Sequence, residues 1–489
     1  MNDTVKEESI PVKEGTNGDV KTKSNKSGVS PYLPLLAIQP LSFWMIWMMI
    51  NIIALSEILW PGQEFAGDKI GLIYGIGVIV MSVSKFIYGP IVDRYNRKKI
   101  IIIHSSLSAV VIFLHGFIPT NMVEDGVDYT FLYLLILTII IGALKGGLCE
   151  VNGPAINSIV DDAVDEEKKS QVFGMITIIS QIGFILCPVI SSLTFTINWQ
   201  WYFWITSIII ELPVIWIAIK AREPKRGAKK AELKSLLKLG NMVYKYQLTR
   251  ETIKSTLFSR TNIFAFLEGI FTQAILAVPW FLIYAFIQSP PMNFSPFSQS
   301  MFMLIFGLPG NMIGATVLAK KSDQLGKKNI KNRIFFIFGS LMLYYLMWIL
   351  FVYIPYTPLT SQQGANIGAI LSTPIYWLSG AVFVVAGILA PLFMLNQRPL
   401  LQKINLPEAQ GLVTGANTFL EQLGRGIGMI IAGSLLVFFN RYYQLTVLVL
   451  VLIGMIGGAM WLLNLKWIDK DVARVSDILK ERAKELEKK

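Results

Sequence analysis

The sequence predicts an all-α membrane protein of twelve spans, arranged as two pseudo-symmetric six-helix halves. Three observations predict it. The 489-residue chain holds twelve long apolar segments. Its Lys and Arg residues fall almost entirely in alternate connections. The second half of the sequence repeats features of the first.

Composition sets the class. The chain is 53% hydrophobic and 16% charged, with a mean hydropathy of +0.53. Soluble globular chains are nearer a quarter charged, so this balance needs a bilayer as solvent. Each crossing takes about 20 apolar residues. The two cysteines, Cys149 and Cys187, lie in apolar runs, and His104 and His115 share one apolar segment. Neither a disulfide framework nor a metal site is expected, and no cofactor. The net charge of +12 invites a nucleic-acid reading. The basic residues alternate with apolar segments and do not gather on a soluble face, which excludes that partner.

Taken in order, residues 1–34 are polar and read as a disordered tail. They lack the charged, apolar, small-residue pattern of a cleaved signal. The six segments of the first half, 35–221, are Leu35–Leu59, Ile70–Tyr88, Ile100–Ile118, Phe131–Val151, Val172–Phe195 and Trp201–Ala221. A basic linker, 222–260, follows, in which Ala231–Leu239 reads either as an amphipathic surface helix or as plain solvated chain. The second half, 261–468, holds Ile263–Ile287, Met301–Leu318, Ile334–Ile354, Ile370–Asn396, Leu412–Phe439 and Leu445–Trp467. The tail, 469–489, is a charged helical stretch with Val472, Val475 and Leu479 on one side.

Alternating the connections from an inside N-terminus puts 39 of the 44 Lys and Arg residues on one side. Basic connections stay cytoplasmic, so both termini are expected there, in a multi-pass cell-membrane protein. The repeat is visible twice. Asp323, Gly326, Lys327 and Lys328 follow span eight as Asp93 and its basic neighbours follow span two, an offset of 230. Val413-Thr-Gly415 opens span eleven as Val172-Phe-Gly174 opens span five, an offset of 241.

The turn after span two reads Gly89-Pro-Ile-Val-Asp93-Arg94-Tyr-Asn-Arg97-Lys98-Lys. It resembles the loop signature between the second and third helices of the major facilitator superfamily. Gly89, Asp93, Arg94, Arg97 and Lys98 match. Asn96 stands where the family has glycine, and Asn also tolerates a left-handed turn. The form Asp-Arg-Tyr-Asn-Arg-Lys is similar to the Spinster branch. So is span four, Gly146-Gly-Leu-Cys-Glu150-Val-Asn152-Gly-Pro154, where Glu150 falls on that branch's functional acid. Its arginine would fall at Ala143. Arg222-Glu-Pro-Lys-Arg226-Gly227 resembles the start of the branch's linker. The resemblance covers residues 35 to 467 and implies alternating-access transport, with spans one, four, seven and ten lining the cavity.

A charge inside a span is costly and marks a water-filled cavity or a partner. The resemblance then selects Glu57, Lys145, Glu150, Asn152 and Glu268 as transport or proton-coupling residues, beside Gln273. Lys145 shares a helix face with Asn152 and not with Glu150. A carboxylate facing low dielectric and a cation can take a proton on one side and release it on the other. The bland alternative is a structural glutamate bonded to a neighbouring helix. Glu421 and Arg425 are an i,i+4 pair on span eleven. With Gly424, Gly426 and Gly428 they form a small, polar stripe, against which the family packs the span-two turn. Asp93 is therefore expected to be a gate residue at the start of span eleven.

The expected partners are the bilayer, a small amphiphilic solute such as a lysophospholipid, and protons; a monomer is expected. The alternative cargo is an organic anion or a drug-like compound. An intramembrane enzyme would need a Ser/His/Asp or metal set on facing spans, and two histidines on one span cannot build one. A receptor or channel finds no support in a ligand domain or a filter motif.

Overall fold

The computed structural model describes residues 29–42, 44–62, 66–145, 154–164, 166–224, 250–406 and 409–487. Ten helices among them are long and apolar enough to cross a membrane. Spans four and five supply the other two crossings, through the helices Tyr129–Lys145 and Glu166–Ile197. Side chains such as Ile208, Leu212, Ile215, Phe335 and Ile456 are open on the outside of the bundle. In a bilayer they face lipid, where apolar surface has no cost.

Local signals start the helices. Asn96 caps span three, Arg97–His115, by accepting from the Lys99 amide at 2.8 Å. Asn198 caps span six, Trp199–Lys220, in the same way through Gln200. Each cap satisfies an N–H that the helix itself leaves open. Span ten departs from expectation. The apolar run from Ile370 forms a short helix, Ile367–Ser372, and the span proper is Pro374–Lys403. Pro374 cannot continue a helix but opens one well, so the break falls before it.

Span one is also interrupted. It is built from Leu33–Ile38, Trp44–Ile50 and Ile52–Leu59. Span seven runs over Arg260–Gln288 and span eight over Pro296–Lys328. Span two is Gly67–Arg94, span nine Lys331–Tyr353, span eleven Gln410–Phe438 and span twelve Tyr443–Asn464.

The halves meet chiefly where span eleven crosses span two. A Cβ on Gly75 would stand 2.5 Å from the Gly426 carbonyl, and one on Gly433 2.4 Å from that of Gly67. Bare backbone is what lets the two helices touch. The glycine stripe of span eleven divides its work. Gly426 faces span two, while Gly424 and Gly428 press on span seven at the Ile270 and Ala274 carbonyls. A helix over Ile468–Glu487 follows span twelve, with Val475 buried as its apolar side predicts. The N-terminal tail to residue 28 and the linker residues Ala231–Leu239 lie outside the described residues.

Candidate functional site

Span seven carries the one sequence-selected carboxylate that is fully buried among the described candidates. Glu268 has no exposed surface. Thr272 sits one turn on, and its hydroxyl donates to Glu268 Oε1. The same hydroxyl lies 3.0 Å from the Tyr345 hydroxyl of span nine. The Trp461 indole of span twelve borders the carboxylate. The Trp461 N–H is the donor facing it, and neither that nitrogen nor Glu268 Oε2 completes a hydrogen bond of ordinary geometry among the described residues. Buried polar atoms are normally paired, so the open carboxylate oxygen is a place for a proton or a water to bind.

Span eleven brings a second carboxylate to the same helix. A side chain at Gly269 would meet Glu421 Cγ at 3.1 Å, so glycine there gives Glu421 its seat. Asn417 Nδ2 donates to Glu421 Oε1 at 2.7 Å, and Gln397 of span ten reaches Asn417 at 3.5 Å. The expected i,i+4 pair opens out: Arg425 directs Nη2 to Gln273 Oε1 at 3.0 Å. Buried Glu268, Gln273 and Glu421 and half-buried Arg425 thus form one cluster between spans seven and eleven.

The basic turns are built differently from the expectation. Arg97 is fully buried. Its Nε meets Glu223 at 2.8 Å, Nη1 meets the Ser158 hydroxyl and carbonyl at 2.7 and 2.9 Å, and Nη2 the Pro224 carbonyl at 3.0 Å. Glu223 also accepts from the Lys98 amide at 2.8 Å, and Lys98 Nζ reaches the Ala218 carbonyl at 2.8 Å. In the second half Lys327 and Lys328 are exposed. The clamp is Arg333, which bonds Asp323 at 2.8 Å and Asn396 at 3.2 Å. A side chain at Gly326 would meet Arg333 Nε at 2.7 Å, so that glycine makes room for it.

Other candidates scatter. Glu57 is exposed on the last piece of span one, and Lys145 is buried at the end of the span-four helix. Glu150 and Asn152 lie outside the described residues, as do the side chains of Gly89, Asp93 and Arg94, although the span-two helix runs through all three positions to Arg94. Thr272, Tyr345, Gln397, Asn417 and Arg333 were not singled out by sequence. Thr272 and Asn417 carry a signal, each four positions from a selected glutamate. Tyr345 and Gln397 carry none, because only helix packing brings them in.

A profile of the Major Facilitator Superfamily matches residues 33–429. The chain belongs to that superfamily. It is an integral multi-pass membrane protein and a secondary transporter, and not an enzyme. No curated protein matches the sequence significantly. Among solved structures, a bacterial homolog of the human lysosomal transporter Spinster, inward-facing and unoccupied, shares 14% identity at a TM-score of 0.64, over 92% of this chain and 99% of that one. The nucleoside transporter NupG shares 17% at 0.60, over 89% and 98%. A D-xylose-proton symporter shares 13% at 0.58, over 89% and 98%. At identities this low the likeness shows the fold alone.

Proposed function

We propose that this transporter couples protons to the alternating-access movement of a small amphiphile, with a lysophospholipid or another single-chain lipid as the substrate class. The carrying observation is Glu268, buried in span seven with one carboxylate oxygen open and Glu421 seated beside it. A carboxylate held this way changes its proton affinity when water reaches it from one side and not the other. Glu268 takes up and releases the coupling proton. Thr272 and Tyr345 orient it, and the Gln273–Arg425 contact relays its state to span eleven. The Spinster-like turn and span-four pattern support the substrate class. In this reading the basic turns and both termini are cytoplasmic, and the unit is a monomer.

A second reading, an organic anion as cargo, has its own support. Arg425 Nε is buried with no hydrogen-bond partner among the described residues, and Lys145 is buried in span four.

The test is transport into proteoliposomes with and without a pH gradient, for wild type, Glu268→Gln and Glu150→Gln, across lysolipids and organic anions. Gradient-driven lysolipid uptake that Glu268→Gln uncouples supports the proposal. Loss of coupling only in Glu150→Gln moves the proton site to span four. Indifference of the wild type to the gradient refutes proton coupling, and uptake of anions alone refutes the lipid substrate.

A further inference from the structure

The end of the molecule opposite the basic turns is crossed by hydrogen bonds that involve spans from both halves. Span one breaks at Asn51, which separates Trp44–Ile50 from Ile52–Leu59. Gln288, the last residue of span seven, fills the break. Its Nε2 donates to the Ile50 carbonyl, and its Oε1 accepts from the Ile53 amide at 3.4 Å. The same Nε2 donates to Gln299 Oε1 of span eight at 2.6 Å. Ser300, next along, donates to the Pro188 carbonyl of span five at 3.2 Å. Asn51 itself donates to Ser191 of span five at 3.1 Å. The bonds run from span one to seven, to eight, to five, and back to one.

We propose that this ring is the latch holding that end shut, and that Gln288 is its central residue. Four features converge. Two of the four spans belong to each half, so the ring must open whenever the halves rock apart. Its members are neutral amides, hydroxyls and backbone carbonyls, which water replaces readily once the end opens. Buried ion pairs would resist that exchange more strongly. Gln299 Nε2 and Asn51 Oδ1 are buried without partners among the described residues, so the closed ring leaves two polar atoms that entering water would satisfy. Finally, Gln288 and Ile50 are 238 positions apart, inside the 230 to 241 spacing of the internal repeat. Near-equivalent positions of the two halves touch each other only close to the axis that relates them.

The test measures access at that end directly. The full chain, with Cys149→Ala and Cys187→Ala, carries Leu55→Cys as reporter; Leu55 is 1% exposed on the piece of span one beyond the break. Labelling by a membrane-impermeant maleimide is timed in proteoliposomes. Gln288→Leu removes three hydrogen bonds and is expected to speed labelling by at least about fivefold, the change that losing even one ordinary hydrogen bond would bring. Gln299→Leu and Asn51→Leu act in the same direction. Ser289→Ala is the control, because its hydroxyl serves Ala285 and Tyr443 and lies outside the ring; its rate stays unchanged. Gln288→Glu keeps the size and loses the amide donor, and covers the case in which the leucine variant does not fold. An unchanged rate in the Gln288 variants overturns the proposal, and so does an equal rise in Ser289→Ala.

Discussion

The two basic turns do the same job with different residues. In the first half, Arg97 opens span three, is wholly buried, and bonds the helix Pro154–Ala163 that follows span four through Ser158, and the linker through Glu223 and Pro224. Glu223 in return sits on the amides that begin span three, where the positive helix end favours a carboxylate. In the second half, Arg333 enters span nine and bonds span eight through Asp323 and span ten through Asn396. The side chain of Asp323 is 56% exposed, against 24% for Glu223. A guanidinium stands at the start of each half's third helix, and its position, partners and depth differ between the halves. The first turn is sewn to the linker; the second is sewn to its own half.

The largest expected effect follows from that asymmetry. Arg97→Ala removes four side-chain bonds and leaves Glu223 only the backbone amides of span three, so about 3 kcal/mol of stability should be lost, near the low end for deleting one partner of a buried ion pair. Arg97→Lys should recover little of it, because an ammonium cannot reach Glu223, Ser158 and Pro224 together. Thermal unfolding of the purified protein in detergent measures both. Arg333→Ala should cost about 1 to 2 kcal/mol in the same assay, since the abandoned Asp323 is already met by water. Equal losses at the two sites would end the claim that the first clamp is the deeper one.

The helices were largely readable, and the partners were not. Twelve apolar runs and a one-sided distribution of Lys and Arg determine a bundle of this kind, because a bilayer leaves the backbone few alternatives. The break before Pro374 was missed by the apolar run from Ile370, although proline chemistry accounts for it. The arginine of the second clamp was not legible, for a definite reason. Aligning the repeats on Asp93 and Asp323 points to Lys327 and Lys328, but span eight stays helical to Lys328, so the next helix and its arginine come later. Glu268 was legible as a costly charge in a span. Its neighbours Tyr345 and Trp461 belong to spans nine and twelve, and no local pattern encodes which helices pack on which. Glu421 and Arg425 share a face, as their spacing requires, yet a glutamine on span seven draws the guanidinium away.

A third clasp, built on the same plan at the other end of the first half, sharpens the comparison further. Asp128 accepts from Lys69 at 2.7 Å, from the Trp60 indole at 2.9 Å and from the Phe131 amide at 2.8 Å. Lys69 stands 5.0 Å over the Trp60 ring. Three donors converge on this one carboxylate, so its titration tests the clasp directly. Partial burial pushes the Asp128 carboxyl up, but the bonds from Lys69, Phe131 and Trp60 outweigh it and hold the group below its ordinary value. A depressed carboxylate binds its proton more weakly folded than unfolded. Its contribution is therefore present above the unfolded-state value of about 4 and is lost as pH falls through the folded one. The stability difference between wild type and Asp128→Asn should be under about 1 kcal/mol at neutral pH, the range of exposed ion pairs, and should shrink towards acid. Unfolding of both proteins across the acid range reads it as a difference, so the other carboxylates cancel. A difference that does not change with pH would mean that the clasp works through the shape of the Trp60–Asp128 contact, and that charge, which fastens the two basic turns, does not fasten this end.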